Sequence, residues 1–158
     1  MQNRVVVGEH GGIALLVRML EVDDCDVQVR PAPEMRCHRR GTHERDVQRS
    51  TCLALNEACL KNAANSREFQ RSGAIPRVMR VLQTGNTDLQ TQALAVLGTS
   101  AVNAVEVRRG LQEAGAIPLL VSLLASNASR VQEWAAYALR KASSRATDLE
   151  LAKVCWAH

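Results

Sequence analysis

The sequence predicts an all-α fold, an α–α superhelix (solenoid) of about three stacked helical repeats. Three observations point to it. Residues 69–101, FQRSGAIPRVMRVLQTGNTDLQTQALAVLGTSA, and residues 111–143, LQEAGAIPLLVSLLASNASRVQEWAAYALRKAS, share one skeleton at an offset of 42 residues, counted from Gly73 to Gly115. Ile75, Pro76, Leu82, Leu89 and Leu97 thus stand where Ile117, Pro118, Leu124, Val131 and Leu139 stand. Arrays of helical units have periods of ~40–47 residues. Within each copy the apolar residues recur at helical spacing, as in Ile75, Val78, Met79 and Leu82, which is the stripe of a helix packed on one side. Hydrophobic residues make up 46% of the 158, enough for a continuous core in one short array.

At the start of the chain, residues 3–10, NRVVVGEH, stand 62 positions before residues 65–72, NSREFQRS, and lead into Gly11-Gly12-Ile13-Ala14, where the later copies read Gly-Ala-Ile-Pro. A strand at Val5-Val6-Val7 feeding a phosphate-binding loop would need further glycines at fixed offsets or a Gly-Lys-Ser/Thr ending, and neither follows. The repeat register is the better reading. Gly73 and Gly115 suit a left-handed corner after a short helix. Pro76 and Pro118 then fall in the first turn of the next helix, where the absent N–H costs little. Ile13, Leu16, Val17 and Leu20 repeat the same stripe.

A third helix follows in each unit. Thr87-Asp88-Leu89-Gln90 and Ser129-Arg130-Val131-Gln132 read as capping boxes at equivalent positions. The expected buried faces are Leu89, Ala93, Val96 and Leu97, then Val131, Ala135, Ala138 and Leu139. The first unit would use Val47, Thr51, Ala54, Leu55 and Ala58. That unit is longer by about 20 residues. Asp26-Val27-Gln28 recurs as Asp46-Val47-Gln48, and removing residues 29–48 restores the period. The inserted stretch holds five arginines, Pro31 and Pro33, so a protruding basic loop is expected. The units run 3–61, 65–102 and 103–144. Thr147 and Glu150 suggest one more helix over 147–156, whose Leu149, Ala152 and Trp156 share a face that could cover the array's end.

Chemistry is sparse. Cys25, Cys37, His38 and His43 lack the short paired spacing of a structural zinc site, so no metal is expected. Cys52 and Cys59, seven apart on the third helix of unit one, read as small buried hydrophobes. No Ser/Cys–His pair or carboxylate pair has an informative spacing, which argues against an enzyme, a cofactor or a small-molecule substrate. Net charge is +4, and the only aromatics are Phe69, Trp134, Tyr137 and Trp156, a thin supply for stacking nucleic-acid bases. The odd five cysteines, with no signal peptide and no apolar run of membrane-spanning length, point to a reduced intracellular setting, cytoplasmic or nuclear. Trp134, Tyr137, Arg140 and Lys141 form the richest interaction cluster, because aromatic and arginine side chains carry much of the energy of protein interfaces.

GAIPLLVSLL followed by VQEWAAYALRKAS resembles the armadillo repeat of importin-α, β-catenin and vacuolar armadillo proteins. The resemblance extends over nearly the whole chain. It implies a superhelix whose third helices line a concave groove that binds extended peptides or partner helices and does no chemistry. It places Leu53 and Glu57, Ala95 and Thr99, and Tyr137 and Lys141 on that groove. Importin-like grooves carry tryptophan at the first position of each pair and asparagine at the second; this chain has neither there. The expected function is therefore a non-catalytic protein-interaction scaffold. A transport-type adaptor for basic localisation peptides and a nucleic-acid binder using basic faces are the alternatives. Three units are close to the minimum for a stable array, so end-to-end self-association is a further expectation.

Overall fold

In a computed structural model of the chain, residues 2–20, 36–84 and 86–143 are described. They form nine helices in three successive triplets. Helices α1 (Gln2–Glu9), α2 (Gly12–Met19) and α3 (Arg36–Cys59) make the first. Helices α4 (Ala63–Arg71), α5 (Ala74–Thr84) and α6 (Thr87–Asn103) make the second, and α7 (Val105–Glu113), α8 (Ala116–Leu123) and α9 (Ser129–Ser143) the third. Each first-to-second helix corner turns on a left-handed glycine: Gly11, Gly73 and Gly115 have φ of 69°, 67° and 67°. A side chain there would strain the backbone, so the corner glycine is a geometric requirement.

The third helices lie side by side, with α6 packed between α3 and α9 and against α5. The apolar spine is continuous. Ile75 and Leu97 of the middle unit are 2% and 0% exposed. Ile13, Val17, Val78, Leu82, Leu111 and Leu120 belong to the same core. From Ala93 to Ala101 every residue of α6 is buried, as befits a helix enclosed on all sides. The expected faces of the second and third units are buried, apart from a half-buried Leu139.

Three local expectations are corrected. The loop expected over residues 29–48 is helical from Arg36 onward, so α3 starts ten residues before Asp46; residues 29–35 lie outside the described residues. Arginine, glutamate and glutamine are good helix formers, and extending an existing helix is cheap, so an absence of apolar residues argues against burial and not against helicity. Ala54 is exposed, because α3 is the first of the third helices and among the described residues no earlier third helix packs on it; its equivalent Val96, on a helix flanked by both α3 and α9, is covered. The capping boxes are out by one or more positions. Asn86 caps α6, its Oδ1 accepting from the Leu89 N–H at 3.0 Å, while Gln90 Nε2 donates to the Leu82 carbonyl at 3.0 Å. On α9, Gln132 Nε2 likewise donates back, to the Ser126 carbonyl at 2.8 Å. Both glutamines tie a third helix to the turn before it. The expected helix over 147–156 lies outside the described residues.

Further side-chain bonds lock the triplets together. Asn103 Nδ2 donates to the Cys59 carbonyl at 2.7 Å, joining the C-terminal ends of α6 and α3. Asn65 Nδ2 donates to the Ala58 carbonyl at 2.8 Å. Both satisfy carbonyls that a helix end leaves without an internal partner.

The buried thiols follow the same logic. Burial pushes Cys52 from the ordinary value of 9.0 up to about 12. It pushes Cys59 to about 11, partly opposed by hydrogen bonds with Ser100 and Ser66. Both stay protonated at neutral pH, where the thiolate is the reactive form. In the unfolded chain each thiol loses its proton nearer 9.0, so this contribution to stability is complete below that pH and is lost as pH rises through 11 to 12. Iodoacetamide should label neither thiol in the native chain at pH 7 and both in denaturant. A denaturant midpoint that falls only above pH 9, and falls less in Cys52→Ala, checks the sign.

Candidate functional site

The third helices α3, α6 and α9 bring the sequence-predicted residues to one layer, but they do not treat them alike. On α3, Leu53 is 39% exposed and Glu57 is exposed. On α6, Ala95 and Thr99 are only 4% and 8% exposed. On α9, Trp134, Tyr137 and Lys141 are half-buried and Arg140 is exposed. The middle of the layer is therefore a floor of small residues, and the larger groups stand at its two sides.

The cluster on α9 is built on Gly98 of α6. A Cβ at Gly98 would meet Tyr137 Cδ1 at 2.6 Å and Cε1 at 2.7 Å, so the ring lies directly on the α6 backbone. Trp134 meets Tyr137 edge-on, with ring centroids 5.5 Å apart and planes at 80°. The Arg140 guanidinium carbon and the Lys141 ammonium each lie 5.7 Å from the Tyr137 centroid. Spacings of three and four residues put all of them on one side of the helix. The negative face of the ring attracts both cations and holds two like charges close together. The result is a preorganised aromatic and cationic patch. Such a patch can accept a carboxylate or stack on a planar group.

Sequence reasoning singled out these α9 residues but not Gly98, which seats them. Its signal was the register: Gly98 aligns with Asn56 and Arg140, and only glycine lets a ring approach so closely. Sequence reasoning also passed over Asn62, Asn86 and Asn103, which act on the backbone and carry no repeat signature.

A groove of about 450 Å³ lies between α2 and α3, lined by Leu16, Met19, Val47 and Ala54 with Asp46 and Ser50 as polar members. The middle-unit equivalents of its apolar residues, Val78, Val81, Leu89 and Val96, are at most 3% exposed. This groove is the end face that a preceding unit would cover in a longer array. Among the described residues no cluster of three or more His, Cys, Asp or Glu could hold a metal ion. Cys25 and the side chains of Cys37, His38 and His43 lie outside the described residues. No described helix is long and apolar enough to cross a membrane.

Stacked triplets with left-handed glycine corners and a layer of third helices define an all-α helical-repeat array. Residues 110–144 match the Armadillo/beta-catenin-like repeat family. Two solved structures, both described as crystal structures of engineered protein from the Northeast Structural Genomics Consortium, share the fold with TM-scores of 0.71 at 20% sequence identity. The matches cover 88% and 89% of this chain and 48% and 29% of theirs, so the chain spans about half of one and under a third of the other. No curated protein matches the chain.

Proposed function

We propose that the chain is a non-catalytic interaction scaffold that binds an extended peptide or a partner helix across α3, α6 and α9. The division into units 3–61, 65–102 and 103–144 fits the three helix triplets and belongs to this reading. The observation that carries it is the Trp134–Tyr137–Arg140–Lys141 patch beside the small-residue floor of α6. A half-buried aromatic–cation cluster beside a floor of small residues has the composition of an interface hot spot. At the groove positions themselves the charged residues are Glu57 on α3 and Lys141 on α9, with Arg140 beside it. A bound peptide would thus place an acidic or aromatic residue at α9 and a basic one toward α3. Basic localisation peptides fit the α9 side poorly, since Arg140 and Lys141 repel them.

The test is a displayed random-peptide library panned against the full chain, with the winners measured by fluorescence anisotropy. Enriched peptides should carry a carboxylate next to an aromatic residue. The pair Arg140→Glu and Lys141→Glu should weaken them about 30-fold, equivalent to a ~2 kcal/mol hot spot, with the melting curve unchanged. Failure to enrich any peptide, or equal binding by the charge-reversed variant, would sink the proposal.

A further inference from the structure

We infer that this chain associates head to tail with a second copy of itself, the α8–α9 end face of one copy seating on the α2–α3 end face of the next. The contact between neighbouring third helices is made twice inside the chain, since α6 packs on α3 with one side and on α9 with the other. Among the described residues two faces lack the corresponding neighbour: the leading side of α2 and α3, and the trailing side of α8 and α9. The leading side is the groove of about 450 Å³ lined by Leu16, Met19, Val47 and Ala54, whose middle-unit equivalents are all buried. On the trailing side Val121, Leu124 and Ala136 are exposed. Leu124 is 36% exposed, whereas Leu20 and Leu82, which hold its place in the first two units, are 5% and 1% exposed. Leu94, in the place of Ala136, is 0% exposed. Both faces are thus apolar at positions that this repeat buries wherever the next unit is present.

Two observations favour a second copy over an unrelated partner. The first is that each face is register-equivalent to a surface whose mate already lies in this chain. The trailing side of α9 corresponds to the side of α6 that α9 covers, and the leading side of α3 corresponds to the side of α9 that does the covering. One copy therefore carries both halves of the contact. The second is register and charge. Inside the chain the Tyr137 ring lies on Gly98. Carried one unit onward, that register sets Arg140, the equivalent of Gly98, against Leu53 of the next copy, the equivalent of Tyr137. The methylene stem of Arg140 can cover the exposed Leu53, and its guanidinium then stands one helical turn from Glu57, a charge of opposite sign. Contact of this kind joins two different faces, so it leaves a free face at each end and growth is open-ended. The inference does not rest on the peptide-binding reading.

Sedimentation velocity of the full chain over a concentration series tests it. The mean mass should rise with concentration and reach no fixed end point. Ala54→Glu blocks the leading face and Leu124→Glu the trailing face, and each should weaken association at least about 30-fold, because either puts an unpaired charge into an apolar contact. Mixed in equal amounts, the two variants should form a dimer and nothing larger, since each keeps one native face. Melting curves at low concentration check that both are folded, and Val121→Glu replaces Leu124→Glu if that chain is not. Both variants leave Trp134, Tyr137, Arg140 and Lys141 in place, so peptide binding is measured on them independently. A native chain that stays monomeric at every concentration overturns the inference, as does association unchanged by either variant. A discrete dimer that the mixture of blocked variants does not restore also overturns it and assigns a two-fold contact instead.

Discussion

Replacing Phe69 with alanine should cost about 3–5 kcal/mol, the largest stability loss expected from any single truncation here. Phe69 is 0% exposed, is among the largest fully buried side chains, and occupies the position that Leu111 fills in the next unit. It belongs to α4, which packs on α1, α2, α3, α5, α6 and α7, so the void it leaves is walled by several elements that cannot all close in. Against a total stability of ~5–15 kcal/mol, this loss brings the chain near the edge of folding. At 2–4 °C per kcal/mol, the thermal midpoint should fall by roughly 10 °C. Phe69→Leu, which restores most of the volume, should recover most of the loss. A drop of less than 3 °C in Phe69→Ala would mean that α4 is not locked into the core as described.

The second large effect comes from adding atoms. Gly98→Ala should destabilise by about 1–3 kcal/mol, even though alanine is the better helix former by ~1 kcal/mol. The new methyl would meet the Tyr137 ring at 2.6–2.7 Å, with the Ala138 Cα at 3.6 Å behind it, so the ring must lift off α6. Lifting it also shifts Trp134, Arg140 and Lys141, which are arranged around that ring. Two controls separate this from a generic helix effect. Tyr137→Ala should cost less in the Gly98→Ala background than in the native chain, because the clash is removed with the ring. Gly110→Ala should be neutral or stabilising, since its Cβ would meet only the end of the Gln70 side chain, which can swing aside. Additive effects of the Gly98 and Tyr137 substitutions in chemical denaturation would contradict the packing described.

Much of this architecture was legible beforehand. The glycine corners and the stripe Ile75, Val78, Met79 and Leu82 are dictated by local geometry, and each repeats, so one unit corroborates another. The caps were less legible, because Asn86 and Thr87 are both good caps and one residue of register decides between them. The Arg36–Asp46 part of α3 was not legible, because a reading based on apolar spacing is blind to a polar helix. The α9 cluster could be named from its residue types. Its seat could not, because Tyr137 and Gly98 are 39 positions apart.

The sequence by itself determined the class of fold, the period and the inward face of most helices, since helical periodicity and steric limits on the backbone act within a few residues of each other. Only the tertiary structure decided which groove positions reach solvent. Ala95 and Thr99 sit low on α6 because α3 and α9 close in on either side, whereas Leu53 and Ala54 stay open at an end helix. It also set the Tyr137 ring on Gly98. Exposure and ring seating depend on which neighbours arrive from distant parts of the chain, and spacing along one helix does not encode that.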